Sequence, residues 1–448
     1  MSKKQKFTLF FIALGVAIIV ASLQPAPGYM DADYYFAGGL RLSEGFGFTE
    51  EILWNYLDDP QGLPHQSHTY WMPLTSVFAS LGISLFSFLP KFKAAQIGFV
   101  LIASIIPLLT AELAMRIFND TNKAFLAGLL AIFSGFYLPY ITNTDSFALY
   151  MLLGGFFLLQ IISLKRDWHF LFLGLLGGLM HMTRADGLIW MVVAFYVAWL
   201  KREDLKFIRS TGYLLTGYLL IAFPWFWRNL QSFGYIMSPG GSRSLFLLNY
   251  DELFSFPANA LALEHFFSSG LGNILLSRWE AILQNLQTGM VIQGLVFLGP
   301  LALVAAWKER KILTLRVAWF VWLFTFILMS IMFPYSGARG GFFHSGAAFM
   351  PLIWVLSVEG LDIAVSWLGK KRNWKIEEAI KVFQIGIITL AIWISGYLVI
   401  QKSSTWKTVS ETYIAIETEL ESIGAEEAMS CWSIIPLPIS QRQGVQQS

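Results

Sequence analysis

Runs of apolar residues at 7–23, 73–90, 94–115, 123–140, 147–164, 168–182, 187–200, 211–227, 287–306, 315–333, 345–365 and 381–400 fill most of this chain. This feature constrains the fold more than any other. A helix needs about 20 apolar residues to cross a bilayer's hydrocarbon core, and inside that core every backbone polar group must find its partner within the chain. Charged residues agree, at 13% of the sequence against about 25% in a soluble globular domain. The fold class expected is an all-α polytopic membrane protein. Runs 168–182 and 187–200 are the shortest of the series.

Charge placement sets the topology. The basic clusters are Lys3/Lys4/Lys6, Arg116/Lys123, Lys165/Arg166, Lys201/Arg202/Lys206/Arg209, Lys308/Arg310/Lys311/Arg316 and Lys370/Lys371/Arg372/Lys375. If run 73–90 crosses the membrane, the first cluster faces away from all the others. If it does not cross, all the clusters share the cytoplasmic side, where Lys and Arg concentrate. The second arrangement predicts about 11 transmembrane helices, the N-terminus in the cytoplasm and the C-terminus outside. Run 73–90 is then an interfacial or re-entrant helix in a long first extracytoplasmic loop, 24–93. A second long extracytoplasmic loop is expected at 228–286. Residues 1–401 form one transmembrane domain on this reading. Residues 402–448 form a short extracytoplasmic segment, with a short helix at 409–423. The start, MSKKQK before an apolar run, reads as a retained signal anchor in a multi-pass plasma-membrane protein.

Several function classes fall away. The formal net charge is +2, with no basic arm, so there is no electrostatic footprint for nucleic acid. One cysteine, Cys431, leaves no intrachain disulfide and no thiolate metal cluster. Neither GxxxxGK[ST] nor a strand-linked GxGxxG is present, which argues against ATP or a soluble nucleotide-sugar as immediate substrate.

The unusual polar residues gather on the side opposite the basic clusters. Asp31 and Asp33 follow the first apolar run, where charge beside lipid is costly and marks function. Each is a candidate catalytic base or metal ligand, and either can instead cap a helix starting near Tyr34. His65 and His68, three apart, are candidate metal ligands with them or substrate contacts. Asp145 stands in a tight turn, as a second acidic group of the site or as an Asx turn or cap. Arg184 and Asp186 form a pair, or Arg184 offers a forked donor to phosphate. Arg228 ends a span in an aromatic belt, as a phosphate ligand or as a snorkelling side chain. Arg339 and His344 lie in a glycine-rich stretch between two spans, a substrate contact or a plain connector.

The segment DADYY, a Gly-rich helix end and the juxtamembrane YWMPL resemble the GT-C superfamily of membrane glycosyltransferases, and within it the aminoarabinose-transferase and protein O-mannosyltransferase branch. The likeness covers roughly 1–400 and takes in Asp145, MTRADG and the stretch from Arg339 to Pro351. It implies a GT-C-like fold and inverting transfer of a hexosyl or pentosyl group. The donor would be a polyprenyl-phosphate sugar, and the acceptor a lipid, glycan or protein on the outer face. Asp31 would be the base, four residues before Tyr35, which is expected among the substrate contacts. The candidate Asp and His ligands themselves allow a divalent metal (Mg, Mn or Zn) as cofactor. That branch usually has Asp-Glu adjacent; Asp-Ala-Asp here leaves Asp31 and Asp33 as alternatives. The extracytoplasmic C-terminal domain of many relatives is lacking or stunted, so a truncated segment is expected. The competing reading is a transporter or flippase of a lipid-linked sugar, whose polar site would lie near the bilayer midplane. A third is a non-catalytic assembly or sensor protein, which would not depend on any one carboxylate.

Overall fold

The computed structural model describes residues 1–249 and 251–423. Cys431 and the rest of the expected C-terminal segment from 424 onward lie outside the described residues. Helices dominate: α1 (Lys3–Ser22), α2 (Met30–Ser43), α3 (Leu74–Leu85), α4 (Lys91–Phe118), α5 (Thr121–Ile132), α6 (Ser146–Ile162), α7 (His169–Thr183), α8 (Ile189–Leu200), α9 (Phe207–Phe233), α10 (Leu271–Gln287), α11 (Leu298–Lys308), α12 (Leu313–Ile327), α13 (Met350–Arg372) and α14 (Ile376–Ser422). A two-residue antiparallel ladder pairs Thr49–Glu50 with His65–Gln66.

The chain is a helical membrane protein. Lys3–Ser22, Lys91–Phe118, Leu313–Met332, Pro334–Arg372 and Ile376–Leu420 are each long and apolar enough to span. The pair Leu271–Gln293 and Leu298–Lys308, bent by 94°, makes a sixth if it is one crossing. The break falls where Leu295 and Val296 take positive φ. The other expected crossings fall on shorter helices or on α9. Run 73–90 becomes the 12-residue α3. At 1.5 Å per residue it is about 18 Å long, too short for a hydrocarbon core of about 30 Å. It packs on α2 and α4 instead.

Small residues let these helices approach closely, as expected where lipid gives no hydrophobic drive to association. On α7 and α9 the fit is reciprocal: a Cβ on Gly174 would collide with the Leu214 carbonyl, and one on Gly217 with the Leu171 carbonyl. The α6–α7 and α7–α9 pairs, and α13 against α4, α5, α11 and α14, build one continuous core.

Ion pairs draw several basic clusters to one end of the bundle. Lys6 lies 3.7 Å from Glu112, which also binds Arg116 at 2.8 Å. Lys123 and Lys308 share Glu359, at 2.5 and 4.0 Å. Arg209 and the Lys206 amide both reach Asp167.

At the other end the long loops fold onto each other. The loop expected at 228–286 shortens to 234–270, because α9 runs to Phe233 and α10 starts at Leu271. It packs on the first loop through Leu57, Leu247, Leu253 and Leu261. Arg243 bonds Asp59 and the Leu57 carbonyl, both at 2.7 Å. Together the two loops form a cover.

α14 differs from expectation. Its 47 residues run without interruption through the boundary placed at 402, so the expected 409–423 helix is the end of a longer one.

Candidate functional site

The two acidic turns are stitched together by uncharged polar side chains. Gln24, fully buried, donates to the Pro139 carbonyl at 2.5 Å and accepts from Gln96 at 2.8 Å and Thr142 at 3.2 Å. Asn143 donates to the Pro27 carbonyl at 2.8 Å, and Thr144 to the Ala32 carbonyl at 2.9 Å. Lys93 caps the carbonyl end of α1, reaching Ala21 O at 2.7 Å and Gln24 O at 2.5 Å, where a cation suits the helix dipole. The start of α2 and the start of α6 are thereby held side by side.

Asp31, Asp145 and His344 meet at this junction, each with a ligand atom within 4.8 Å of the others'. His344 Nε2 lies 3.2 Å from Asp31 Oδ2 and 3.2 Å from Asp145 Oδ2. His344 Nδ1 lies 2.9 Å from the Gly340 carbonyl. A carbonyl only accepts, so Nδ1 carries a proton. Nε2 then faces two carboxylates and needs a cation of its own, a proton or a metal. The ring is fixed by stacking on Phe147 at 4.1 Å. Asp145 caps α6 by accepting from the Ser146 amide, and Tyr29 donates to Asp145 Oδ2 at 2.8 Å. Burial pushes the Asp145 carboxyl up, but the His344 ring, with the Tyr29 and Ser146 hydrogen bonds, brings it below the ordinary carboxylate range. The Asp31 side chain keeps 27% of its exposure while that of Asp145 keeps none, so Asp31 is the accessible carboxylate.

A second group adjoins the first. Arg184 Nε donates to Asp186 Oδ1 at 2.8 Å, and Ser345, next to His344, donates to Asp186 Oδ2. Among the described residues no hydrogen bond engages the terminal nitrogens of Arg184. Tyr35 faces this space: burial, then Asp145 and Asp31, push its hydroxyl well above the ordinary phenol range, while Arg184 pulls it down. Arg339 sits where helical geometry breaks, beside Gly340 at φ 127°, with its guanidinium 5.5 Å from the Tyr335 ring. The glycine-rich stretch that carries it is a series of short helical turns.

The expected quartet of Asp31, Asp33, His65 and His68 does not form. α2 starts at Met30, earlier than expected, so Asp31 and Asp33 lie in its first turn. Two residues apart on a helix point about 200° apart, and Asp33 is buried away from the trio. His68 is buried with its ring nitrogens 2.7 Å from Ser67 Oγ and 2.9 Å from Ser76 Oγ. Burial and the nearby Arg228 lower its pKa to about 3, so it stays neutral. His65 stands between Glu50 at 3.6 Å and Asp58 at 3.3 Å. Arg228 binds the Phe48 carbonyl at 3.1 Å, Gln66 Oε1 at 3.0 Å and the Ser67 carbonyl at 3.0 Å. Its donors brace the first loop. Tyr29, Gln24, Gln96, Phe147 and Ser345 were not anticipated. Gln96, a polar residue inside an apolar run, was the available signal.

Between α3, α7 and α9 lies an apolar cavity of about 250 Å³. Val77, Leu179, Met182, Ile221 and Pro224 line it, with Arg228 at its edge.

The backbone resembles solved membrane glycosyltransferases. The apo oligosaccharyltransferase of Archaeoglobus fulgidus superposes with a TM-score of 0.56 at 12% identity, covering 98% of this chain and 62% of that one. The archaeal oligosaccharyltransferase AglB from Archaeoglobus fulgidus, in complex with an inhibitory peptide and a dolichol-phosphate, gives 0.54 at 12% identity, covering 98% and 62%. ArnT from Cupriavidus metallidurans bound to undecaprenyl phosphate gives 0.53 at 13% identity, covering 95% and 74%. The chain has the GT-C fold. It spans about three fifths of the length of the oligosaccharyltransferase it matches. No family model matches the sequence, and no curated protein sequence matches it. Asp31 lies in the first turn of α2 and Asp145 caps α6, on the same end of the bundle.

Proposed function

We propose that this protein is an inverting membrane glycosyltransferase. It moves a hexosyl or pentosyl group from a polyprenyl phosphate to an acceptor hydroxyl on the extracytoplasmic face. The observation that carries this is the meeting of Asp31, Asp145 and His344 beside Arg184 at one end of a GT-C fold. The neighbours bound to dolichol-phosphate and undecaprenyl phosphate support a lipid-phosphate donor. The positive-inside rule supports placing the basic end in the cytoplasm, with the N-terminus, and the site end outside. The acceptor class, lipid, glycan or protein, remains part of the proposal.

Asp31 is the base. Its Oδ2 faces His344, which leaves Oδ1 for the acceptor. The acceptor proton passes to Asp31 as the new bond to the sugar's C1 forms. The bond from C1 to the donor phosphate breaks on the opposite face, and its electron pair leaves with the phosphate. Proton removal of this kind contributes about 10²–10⁴-fold. Arg184, with Nε tied to Asp186, presents its two terminal nitrogens to the developing phosphate charge. Arg339 is the second candidate donor. The apolar cavity between α3, α7 and α9 accepts the first prenyl units of the donor.

The trio also fits a divalent cation. Two carboxylates and an imidazole are a set that Mn²⁺ or Zn²⁺ accepts, and Mg²⁺ less readily. The His344 Nδ1 bond to Gly340 is the outer support that metal-ligating histidines have. Such an ion would neutralise charge on the departing phosphate. The test is incubation of purified protein with radiolabelled polyprenyl-phosphate sugars, with and without EDTA. Transfer or slow hydrolysis supports the reading. No turnover, combined with movement of the same lipids across proteoliposome membranes, replaces it with the transporter.

A further inference from the structure

α14 leaves the bundle near the site, and the place where it does so is specific. Most of this helix is exposed, but Trp406 is buried at 4% exposure. Its ring stacks on Tyr29, with centroids 5.1 Å apart and planes inclined 29°. It meets Tyr140 edge-on at 5.4 Å, and Tyr140 meets Tyr29 at 5.3 Å. The floor of this cluster is Gly28, at φ 79°, where a Cβ would collide with the Trp406 side chain. Tyr29 itself does two things. It is the N-cap of α2, two positions before Asp31. Its hydroxyl, 2.8 Å from Asp145 Oδ2, holds the same oxygen that lies 3.2 Å from His344 Nε2.

We propose that Trp406 is a positioning residue for the carboxylate–histidine trio, acting through Tyr29. The aromatic stack fixes the Tyr29 ring, the ring fixes its hydroxyl, and the hydroxyl fixes Asp145 Oδ2. Trp406 touches none of the reacting groups. Its effect on turnover rests on the glycosyltransferase reading of the trio, but its effect on Tyr29 does not. The arrangement also makes α14 part of the site, because a sideways displacement of its outward half at Trp406 would be felt at Asp145.

The experiment uses the full chain with 3-fluorotyrosine introduced at position 29, whose fluorine shift reports the hydroxyl hydrogen bond. Trp406→Ala should move the resonance in the direction that Asp145→Asn moves it, and Trp406→Phe, which keeps a stacking ring, should leave it near the wild-type position. Mn²⁺ affinity, measured by electron paramagnetic resonance on the unlabelled proteins, and transfer kinetics follow on the same variants. Trp406→Ala should lower kcat per folded molecule about tenfold and leave the donor KM within about twofold, because the stack orders a catalytic neighbour and not the donor site. Trp406→Phe should restore most of the kcat. If the fluorine resonance of Trp406→Ala stays at the wild-type position, the proposal is overturned. It is overturned too if the resonance moves but kcat per folded molecule does not. Wild-type protein that neither transfers nor hydrolyses the donor removes the glycosyltransferase reading instead, and the fluorine result still decides whether Trp406 sets Tyr29.

Discussion

His344 Nε2 lies 3.2 Å from Asp31 Oδ2, joining the first loop to the glycine-rich stretch that precedes α13. The ring's other nitrogen is committed to the Gly340 carbonyl. The contact therefore keeps one carboxylate oxygen of Asp31 oriented, and on the proposed function the other takes the acceptor proton.

Asp31→Asn should lower transfer at least about 100-fold while the protein stays folded and inserted, since Asn keeps the shape but takes no proton. Asp33→Asn, buried off the trio, should stay within about tenfold of wild type. Turnover normalised to folded protein checks both. If Asp31→Asn keeps more than about a tenth of wild-type turnover, Asp31 is not the base. If Asp33→Asn is then the inactive variant, the roles are exchanged.

The two arginines should separate by what they change. Arg184→Lys keeps charge but loses the fork, so donor Kd should rise about tenfold with little loss of thermal stability. Arg228→Lys should do the reverse. It surrenders bonds to two backbone carbonyls and Gln66, each worth about 1.5–3 kcal/mol for a charged donor, and should lower the melting temperature with donor Kd unchanged in the folded fraction. Donor titration and differential scanning fluorimetry distinguish them. A weakened donor affinity in Arg228→Lys and not in Arg184→Lys would exchange the assignments.

The first loop should loosen as pH rises. Burial opposes a charge on His65, but the neighbouring Glu50 and Asp58 carboxylates raise its pKa above the usual value. Burial raises Glu50 and Asp58 as well. A pKa raised by folding stabilises fully below the unfolded value and is lost as pH climbs through the folded one. The histidine part should therefore fade above about pH 6.5, and the carboxylate part above about pH 4. Limited proteolysis of the first loop across this range, in wild type and His65→Gln, is the measurement. An unaltered profile in the variant would remove His65 from the account.

Exposed cysteines at Glu203 and Lys311, in a Cys431→Ser background, should resist an impermeant thiol reagent applied to intact cells and react after permeabilisation. Labelling of both from outside would invert the proposed orientation.

How far the sequence led depends on the kind of information each feature needs. The expectation that run 73–90 does not cross rests on charge asymmetry, a collective property set by many lysines and arginines at once, and the short α3 agrees with it. Asp31, Asp145 and His344 could each be picked out singly, since charge beside lipid needs a reason. Their grouping could not, because it depends on the packing of α6 against the residues before α13. His65 and His68 looked like a metal pair by spacing, yet His68 lies between two serines and His65 between two carboxylates. Arg228 read as a residue ending a span. That it braces carbonyls of Phe48 and Ser67 follows from where the first loop turns, and the sequence carries no local sign of that.

The cover formed by the two loops has a kinetic consequence. Leu57, Leu247, Leu253 and Leu261 hold the two loops together, whereas Leu179 and Ile221 line an apolar cavity between α3, α7 and α9. On the proposed function, a lipid-linked donor lodged in that cavity would arrive by travelling sideways within one leaflet. Its supply is then counted as mole fraction among lipids and not as millimoles per litre of buffer. Adding inert phospholipid or detergent at fixed total donor should slow the enzyme by surface dilution, and adding water should not.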